Sequence, residues 1–405
     1  MTYCHICRSD DLRTFLSLGP TPLANSYLEK DQLNETEPYY PLDVCFCKHC
    51  GLVQLVDVIP AEILFKKYAY MTGMSETMKE HFPLMAEQVM ANFKPPPGSL
   101  IVDIGSNDGT LLRGFDKYNV NTLGIEPASN IAALSNAQGI ETINDFFDEK
   151  LAQKVCEQRN KASVILSTNV FAHVNDLEDF LRGVSYLLAQ DGVFIIEVPY
   201  LVDMLEKLEF DTIYHEHIRY YAVRPLVTLF SRFGMEIVHI ERVSVHGGSI
   251  RVYVQKSGIV PSPSVKQLLE LEESKKLGSF QTYQKFALAV SSVKEKLLSL
   301  LGYLKEKGSR IIGYGAPAKG STLLNYCKIG NETLDYIIDV TPFKQNRYTP
   351  GMHIPIFSES NFHATPPDYA LLLAWNYAEE ILRKEDLFRK AGGKFILPIP
   401  DPRVV

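Results

Sequence analysis

Cysteines, histidines and acids fall in this chain at spacings that bind metal and move protons. Cys4-x-x-Cys7 and Cys47-x-x-Cys50 form two pairs near one end, the second followed by Gly51. Two such knuckles supply four thiolates, the set taken by a tetrahedral structural zinc. Unpaired buried cysteines are the plainer alternative and disulfides a further one, but neither accounts for two CxxC pairs so close to one terminus. Cys45 is a spare thiol beside the second pair, and Cys156 and Cys327 read as core residues. A closed four-sulfur site has no open coordination position, so it props up a module and leaves the chemistry to other residues.

A second constellation has the character of a ligand turn. Asp103-Ile-Gly105-Ser-Asn107-Asp-Gly109 follows an apolar run of strand length and opens a helical pattern. Glycines there let the backbone approach a ligand, and a helix N-terminus favours polar or anionic groups. The stretch is not G-x-G-x-x-G, which weakens a dinucleotide reading. Glu126 ends the next strand about twenty residues on, where a carboxylate can accept both hydroxyls of a ribose. Asp145, before Phe146 and Phe147, is placed to touch an adenine edge. A solvated Glu126 is the bland reading of one acidic strand end. Together, the turn, Glu126 and Asp145 resemble the S-adenosylmethionine site of class I methyltransferases. On that resemblance the cofactor contacts are Asp103, Gly105, Asn107, Gly109, Glu126, Asp145, Phe146 and Asn169.

Two histidine clusters follow later strands, at the sheet end where ligands bind in such folds. One is Asn169-Val-Phe-Ala-His173, the other Tyr214-His215-Glu216-His217. A lone histidine is usually a satisfied structural residue, but folding alone does not need so many titratable groups on one loop. His215-x-His217 can chelate a metal, yet it is not H-E-x-x-H. General acid–base work suits the cluster better, with a neighbouring carboxylate tuning the basicity of a histidine. Tyr68 and Tyr70, in Tyr68-Ala-Tyr70-Met-Thr-Gly-Met-Ser75, read as helix-face packing; the functional option is a hydrogen bond to a substrate oxygen.

These groups need a scaffold to position them. The 405 residues suit about two to four domains. The chain is 46% hydrophobic and 22% charged, enough to bury several cores. A net charge of −7 does not suit a nucleic-acid binder. The opening MTYCHICRSDD lacks the apolar stretch of a signal peptide, and no apolar run reaches the ~18 residues of a membrane span. Paired reduced thiols add to an expectation of a cytoplasmic protein without membrane contact. Apolar runs at Leu100–Ile104, Thr122–Ile125, Val164–Leu166 and Val193–Val198 alternate with helical patterns. That alternation predicts a parallel sheet covered on both faces. Ile237–Val243 and Ile250–Gln255 read as a closing strand pair around His246-Gly247-Gly248. A second α/β unit follows: a strand at Arg310–Gly313, the loop to Gly320, further strands at Tyr336–Asp339 and Tyr369–Ala374, and an amphipathic helix over Ala378–Ala391.

Over essentially its whole length the chain resembles the nucleotide-sugar C-methyltransferases of deoxysugar biosynthesis, the group holding the C-3 methyltransferase of tetronitrose formation. The resemblance rests on both cysteine pairs, Leu18-Gly-x-x-Pro22-Leu-Ala-Asn25, Asp103–Thr110, Asn169–His173, Tyr214–His217, His246-Gly-Gly-Ser-Ile-Arg251 and Gly313-Tyr-Gly-Ala-Pro-Ala-Lys-Gly320. It implies an α/β protein: a zinc-binding domain (1–60), a helical connector (61–98), a class I S-adenosylmethionine domain (99–258), a helical linker (259–307) and a C-terminal Rossmann-like domain (308–405) that takes the sugar nucleotide. It implies His217 as base, with Tyr214, Glu216, His173 and Tyr70 as catalytic partners. Tyr68, His215, His246, Lys319 and Arg251 fall to the substrate, and Cys4, Cys7, Cys47 and Cys50 to zinc. The implied reaction is enolate formation beside a 4-ketone, then methylation of C-3, by a monomer or weak homo-oligomer. Ser9, where a CxxCG-type knuckle would help the turn, and Asn346, where glycine is common, depart from the pattern. Rival readings are a methyltransferase of another small molecule or of RNA, and an NAD-dependent oxidoreductase with Asp339 as its acid.

Overall fold

The computed structural model describes residues 3–65, 71–256 and 258–405. The expected roles of Tyr68 and Tyr70 therefore lie outside the described residues. The zinc module opens with β1 (Leu12–Ser17), β2 (Asp43–Cys47) and β3 (Val53–Leu55), an antiparallel meander. The 18-residue helix Glu76–Phe93 follows, capped by Ser75 and ended by Lys94 in the left-handed region. It lays Met78, Phe82, Met85 and Val89 on the central sheet.

That sheet starts with β4 (Leu100–Ile104), β5 (Asn121–Ile125), β6 (Thr142–Ile143), β7 (Ala162–Thr168) and β8 (Leu188–Pro199). The chain then leaves it for β9 (Arg219–Tyr220) and returns as β10 (Met235–Val243) and β11 (Ser249–Lys256). The order is β10-β11-β8-β7-β4-β5-β6, with only β11 antiparallel to its neighbours. This is the class I methyltransferase sheet. Its strand order reverses between β4 and β7, so the loops after those strands diverge and leave a ligand crevice at their carboxyl ends. Two-residue β9 crosses over to join the zinc module, giving the sheet order β1-β2-β3-β9.

Two helices, Pro263–Ser274 and Phe280–Glu306, lead to the C-terminal unit. Its strands are β12 (Ile311–Tyr314), β13 (Ile337–Ile338), β14 (Ile356–Phe357), β15 (Tyr369–Leu372), β16 (Lys394–Leu397) and β17 (Arg403–Val404). They form a sheet parallel except at β17, ordered β14-β13-β12-β15-β16-β17. The expected single helix over Ala378–Ala391 is two, Ala378–Lys384 and Asp386–Lys390, split at Glu385, whose buried carboxylate accepts from Tyr314 Oη at 2.7 Å. Asn346 takes φ +65°, a left-handed conformation that asparagine tolerates better than most residues. One apolar core runs through all three parts, from Phe46 and Val53 through Phe171 and Phe194 to Leu323 and Leu371.

Candidate active site

The four expected zinc ligands converge. The sulfurs of Cys4, Cys7, Cys47 and Cys50 all lie within 4.8 Å of one another, with Cys4–Cys50 at 3.4 Å and Cys7–Cys47 at 3.6 Å. Sulfurs bound ~2.3 Å from one zinc stand roughly 3.8 Å apart at tetrahedral angles, so the donor set fits that metal. The two knuckles share one backbone pattern. Arg8 N donates to Cys4 O and Cys4 N to Ser9 O, as Gly51 N donates to Cys47 O and Cys47 N to Leu52 O. Gly51 sits at φ +84° and Arg8 at φ +60°, so arginine fills the left-handed place that glycine fills in the other knuckle.

The cofactor turn is built at the switch point. Gly105 has φ +73°, and a Cβ there would lie 2.3 Å from Val170 of the loop after β7. Both its conformation and its surroundings therefore require glycine. Glu126, at the end of β5, accepts from Asn107 N at 3.0 Å and Ala128 N at 2.9 Å. Burial raises its pKa. Asp103 lies beneath the turn, buried, with Oδ1 lacking a partner among the described residues; burial and then Glu126 hold it well above the carboxylate range. The side chains of Asn107 and Asp108 accept from Thr72 N at 2.9 Å and Gly73 N at 2.8 Å. Asp145 is exposed and caps Phe146 N, with the Phe146 ring half out in solvent. Asn169 takes φ +57° and donates its amide to Glu197 O. A glycine turn with no room for a side chain, an acid at the neighbouring strand end and an open aromatic beside it fit a bound S-adenosylmethionine.

The Tyr214–His217 loop is gripped from both sides. Leu55 N donates to Ile218 O and Ile218 N to Ala172 O, so β9 ties the loop to the zinc module and to the His173 segment. Asn25 donates to Glu216 at 2.6 Å, and His215 Nε2 donates to Pro41 O at 3.1 Å. On the opposite side Trp375 Nε1 donates to Asp211 at 2.6 Å and Thr322 Oγ1 to Ile213 O at 3.2 Å.

Between these anchors, His217 Nδ1 donates to Thr212 O at 2.7 Å. A carbonyl only accepts, so Nδ1 carries the proton and Nε2 presents its lone pair to Tyr214 Oη at 2.8 Å. His173 lies edge-on, ring centroids 4.9 Å apart. Burial, then His173, holds the His217 pKa well below its ordinary value, and burial lowers His173 to about 4. Glu216 accepts from Asn25 of the zinc module.

The substrate-side residues divide. Lys319 and His246 both act electrostatically on His217, and the Lys319 ammonium lies 4.6 Å from the Trp375 ring centroid. Burial lowers His246 to about 4. His215 faces Pro41 and Tyr40, toward the zinc module. Arg251 is corrected here. Its guanidinium is 2% exposed and engages Glu197 at 2.9 Å and Gln88 at 2.7 Å, with His81 on the same carboxylate. That network ties β8 and β11 to the helix Glu76–Phe93 and leaves Arg251 no donor for a phosphate. Sequence reasoning missed Tyr27, Trp375 and the anchoring bond of Asn25. Asn25 and Tyr27 fall in and beside the Leu18–Asn25 motif, the one signal that pointed there.

Comparison with known proteins shows the family to which the chain belongs. Residues 4–65 match a family model for a zinc binding domain, 78–240 a methyltransferase domain, and 244–400 a C-methyltransferase C-terminal domain. The chain is 37% identical to the C-methyltransferase NovU of Streptomyces niveus over 404 residues, 99% of this chain and 96% of that protein. Among solved structures, magnesium protoporphyrin IX methyltransferase of Synechocystis PCC 6803 with bound SAM is 13% identical, with a TM-score of 0.32, over 44% of this chain and 79% of that one. An S-adenosylmethionine-dependent methyltransferase of Clostridium acetobutylicum is 13% identical, with a TM-score of 0.35, over 44% and 92%. No helix among the described residues is long and apolar enough to cross a membrane.

Proposed function

The chain belongs to the C-methyltransferase family and is an S-adenosylmethionine-dependent C-methyltransferase with a zinc-binding module, and from that premise we propose that it methylates C-3 of a 4-keto-6-deoxy sugar carried on a nucleotide such as dTDP, in the cytoplasm. The observation that carries the reading is the His217–Tyr214 pair, a neutral imidazole with its lone pair on Nε2 beside a hydroxyl donor, at 2.8 Å. A carbon next to a ketone becomes nucleophilic only after losing a proton. His217 Nε2 takes that proton, and Tyr214 Oη then turns its hydrogen to the oxygen that gains charge. Donors aimed at a developing oxyanion commonly contribute ~10²–10³ in rate.

S-adenosylmethionine, held by Gly105, Asn107, Glu126, Asn169 and the Asp145–Phe146 corner, supplies an electrophilic methyl group. Burial among His173, Lys319 and His246 keeps His217 uncharged, so a cationic sulfonium meets no imidazolium before the base acts. Asn25 and Pro41 hold Glu216 and His215, and so fix the direction from which His217 approaches.

Labelled S-adenosylmethionine incubated with a panel of 4-keto-6-deoxy sugar nucleotides tests the reading. His217→Asn is expected to abolish transfer and any deuterium exchange at C-3 while cofactor affinity persists; near-normal turnover in this variant would sink it. Tyr214→Phe loses less. Because the His217 pKa is lowered, it remains a base as pH falls through 6.5, so the acid limb of kcat/KM is expected below that value.

A further inference from the structure

Glu209 is a buried acid to which the chemistry above gives no task. It stands immediately before the turn Phe210–Thr212 that leads into the catalytic loop, and it is 2% exposed. Its Oε1 has no hydrogen-bond partner among the described residues. A buried carboxyl without a donor is costly to fold, and few proteins keep one without a use. Burial raises it to about 7, against the pull of Lys319. The turn between β10 and β11 is shaped around it. Gly247 has φ +95°, and a Cβ there would come within 2.4 Å of Glu209 Oε1.

Three further groups complete the setting. The Lys319 ammonium lies against Trp375 and makes no ion pair among the described residues. The indole is itself fixed by Asp211. His246 sits on the glycine turn beside Glu209, and Lys319 acts on both it and His217. An aromatic face, a cation that makes no direct ion pair among the described residues and a carboxyl oxygen without a donor are what a hydroxylated ring needs on one side. They lie where the C-terminal unit meets the catalytic loop.

We propose that Glu209 is a specificity-determining residue: its carboxyl accepts the hydrogen of a ring hydroxyl while Lys319 Nζ donates to another oxygen of the same ring. This rests on the reading of the substrate as a nucleotide-linked sugar. A site built to bond a hydroxyl rejects the analogue that lacks it, because its own polar group is then left buried and unpaired.

The test uses the full enzyme with 4-keto-6-deoxy sugar nucleotides that carry both ring hydroxyls, or lack the one at C-2 or the one at C-3. If the wild type methylates none of them, the substrate reading fails by itself. Where it does turn over, Glu209→Ala is expected to raise KM for the fully hydroxylated sugar about tenfold or more, leave kcat within about threefold, and leave S-adenosylhomocysteine affinity unchanged by calorimetry. On one deoxy analogue the variant and wild type converge. An unchanged KM, or the same loss on every sugar, overturns the proposal. Should Glu209→Ala fail to fold, Glu209→Gln has the same size, and its selectivity ratio between hydroxylated and deoxy sugars decides.

Discussion

The central and C-terminal units contain the same glycine turn, gripped by an acid, and cover it differently. In each, a glycine with positive φ follows the first strand of the unit and abuts the loop across the strand-order reversal. Gly105 meets Val170, and Gly315, at φ +82°, meets Ala374. In each, an acid ends the neighbouring strand and grips the backbone of the turn. Glu126 accepts from Asn107 N and Ala128 N, while Asp339 accepts from Ala316 N at 2.7 Å and Thr341 N at 2.8 Å. What differs is the cover. Ala316 O, at the C-terminal turn, accepts from Tyr27 Oη at 2.5 Å and Lys344 Nζ at 2.9 Å, so the zinc module is seated on it. At the central turn the Thr72–Gly73 backbone donates to Asn107 and Asp108 on the rim. A glycine turn and an acid at the next strand end therefore make a socket, and whether it takes a cofactor or another part of the chain depends on what packs above it.

Removing the cover is the most drastic way to break this comparison. Zinc loss, by chelation or Cys47→Ser, frees the module that holds β9, Asn25 and Tyr27. The expected result is a loss of methyl transfer of at least about 10³-fold, because the proposed general-base geometry and oxyanion donation fail together. S-adenosylhomocysteine binding, read by calorimetry, is expected to remain within about threefold, since the residues around Gly105 and Glu126 belong to the central unit. Equal loss of both functions would mean that the module supports the cofactor socket too.

The two acids sharpen it directly. Glu126→Ala is expected to weaken S-adenosylhomocysteine binding about a hundredfold, the loss of charge-assisted bonds to a ribose. Asp339→Ala is expected to leave that affinity unchanged and to cost about 2–4 kcal/mol of stability in denaturant titration, as two buried amides lose their acceptor. The comparison collapses if Asp339→Ala weakens cofactor binding as much as Glu126→Ala does.

The sequence disclosed what is local. The zinc set was legible because CxxC spacing places two sulfurs on one turn. The long strands were legible because burial on both faces writes them as apolar runs. Strands β9 and β14 have two residues each, too short to carry any period, and β9 pairs with residues far away in the chain. Within the Tyr214–His217 cluster, proximity in sequence misled. Tyr214 and His217 turn toward each other, whereas His215 and Glu216 turn to the zinc module. The His246-Gly247-Gly248 motif was legible only as the link between two closing strands. Its glycines are crowded by the carboxylates of Glu209 and Asp203 rather than by a ligand.

The mildest test isolates the cover from the socket. Tyr27 is 6% exposed, and burial, then Asp339 and Glu216, keeps its hydroxyl protonated far above the ordinary range, so it stays a donor to Ala316 O. Tyr27→Phe removes the hydroxyl and its bond to Ala316 O and keeps the ring, with Lys344 Nζ still bonded to Ala316 O. Losing one neutral bond whose acceptor retains a partner is expected to cost about 1 kcal/mol in denaturant titration. Cofactor affinity should not change, because Ala316 belongs to the C-terminal socket. Methyl transfer should fall only a few-fold, through looser seating of the module that holds Glu216 by Asn25. A drop in activity as large as that from Cys47→Ser, with stability intact, would instead place the Tyr27 hydroxyl in contact with the substrate and make the C-terminal socket part of the reacting site.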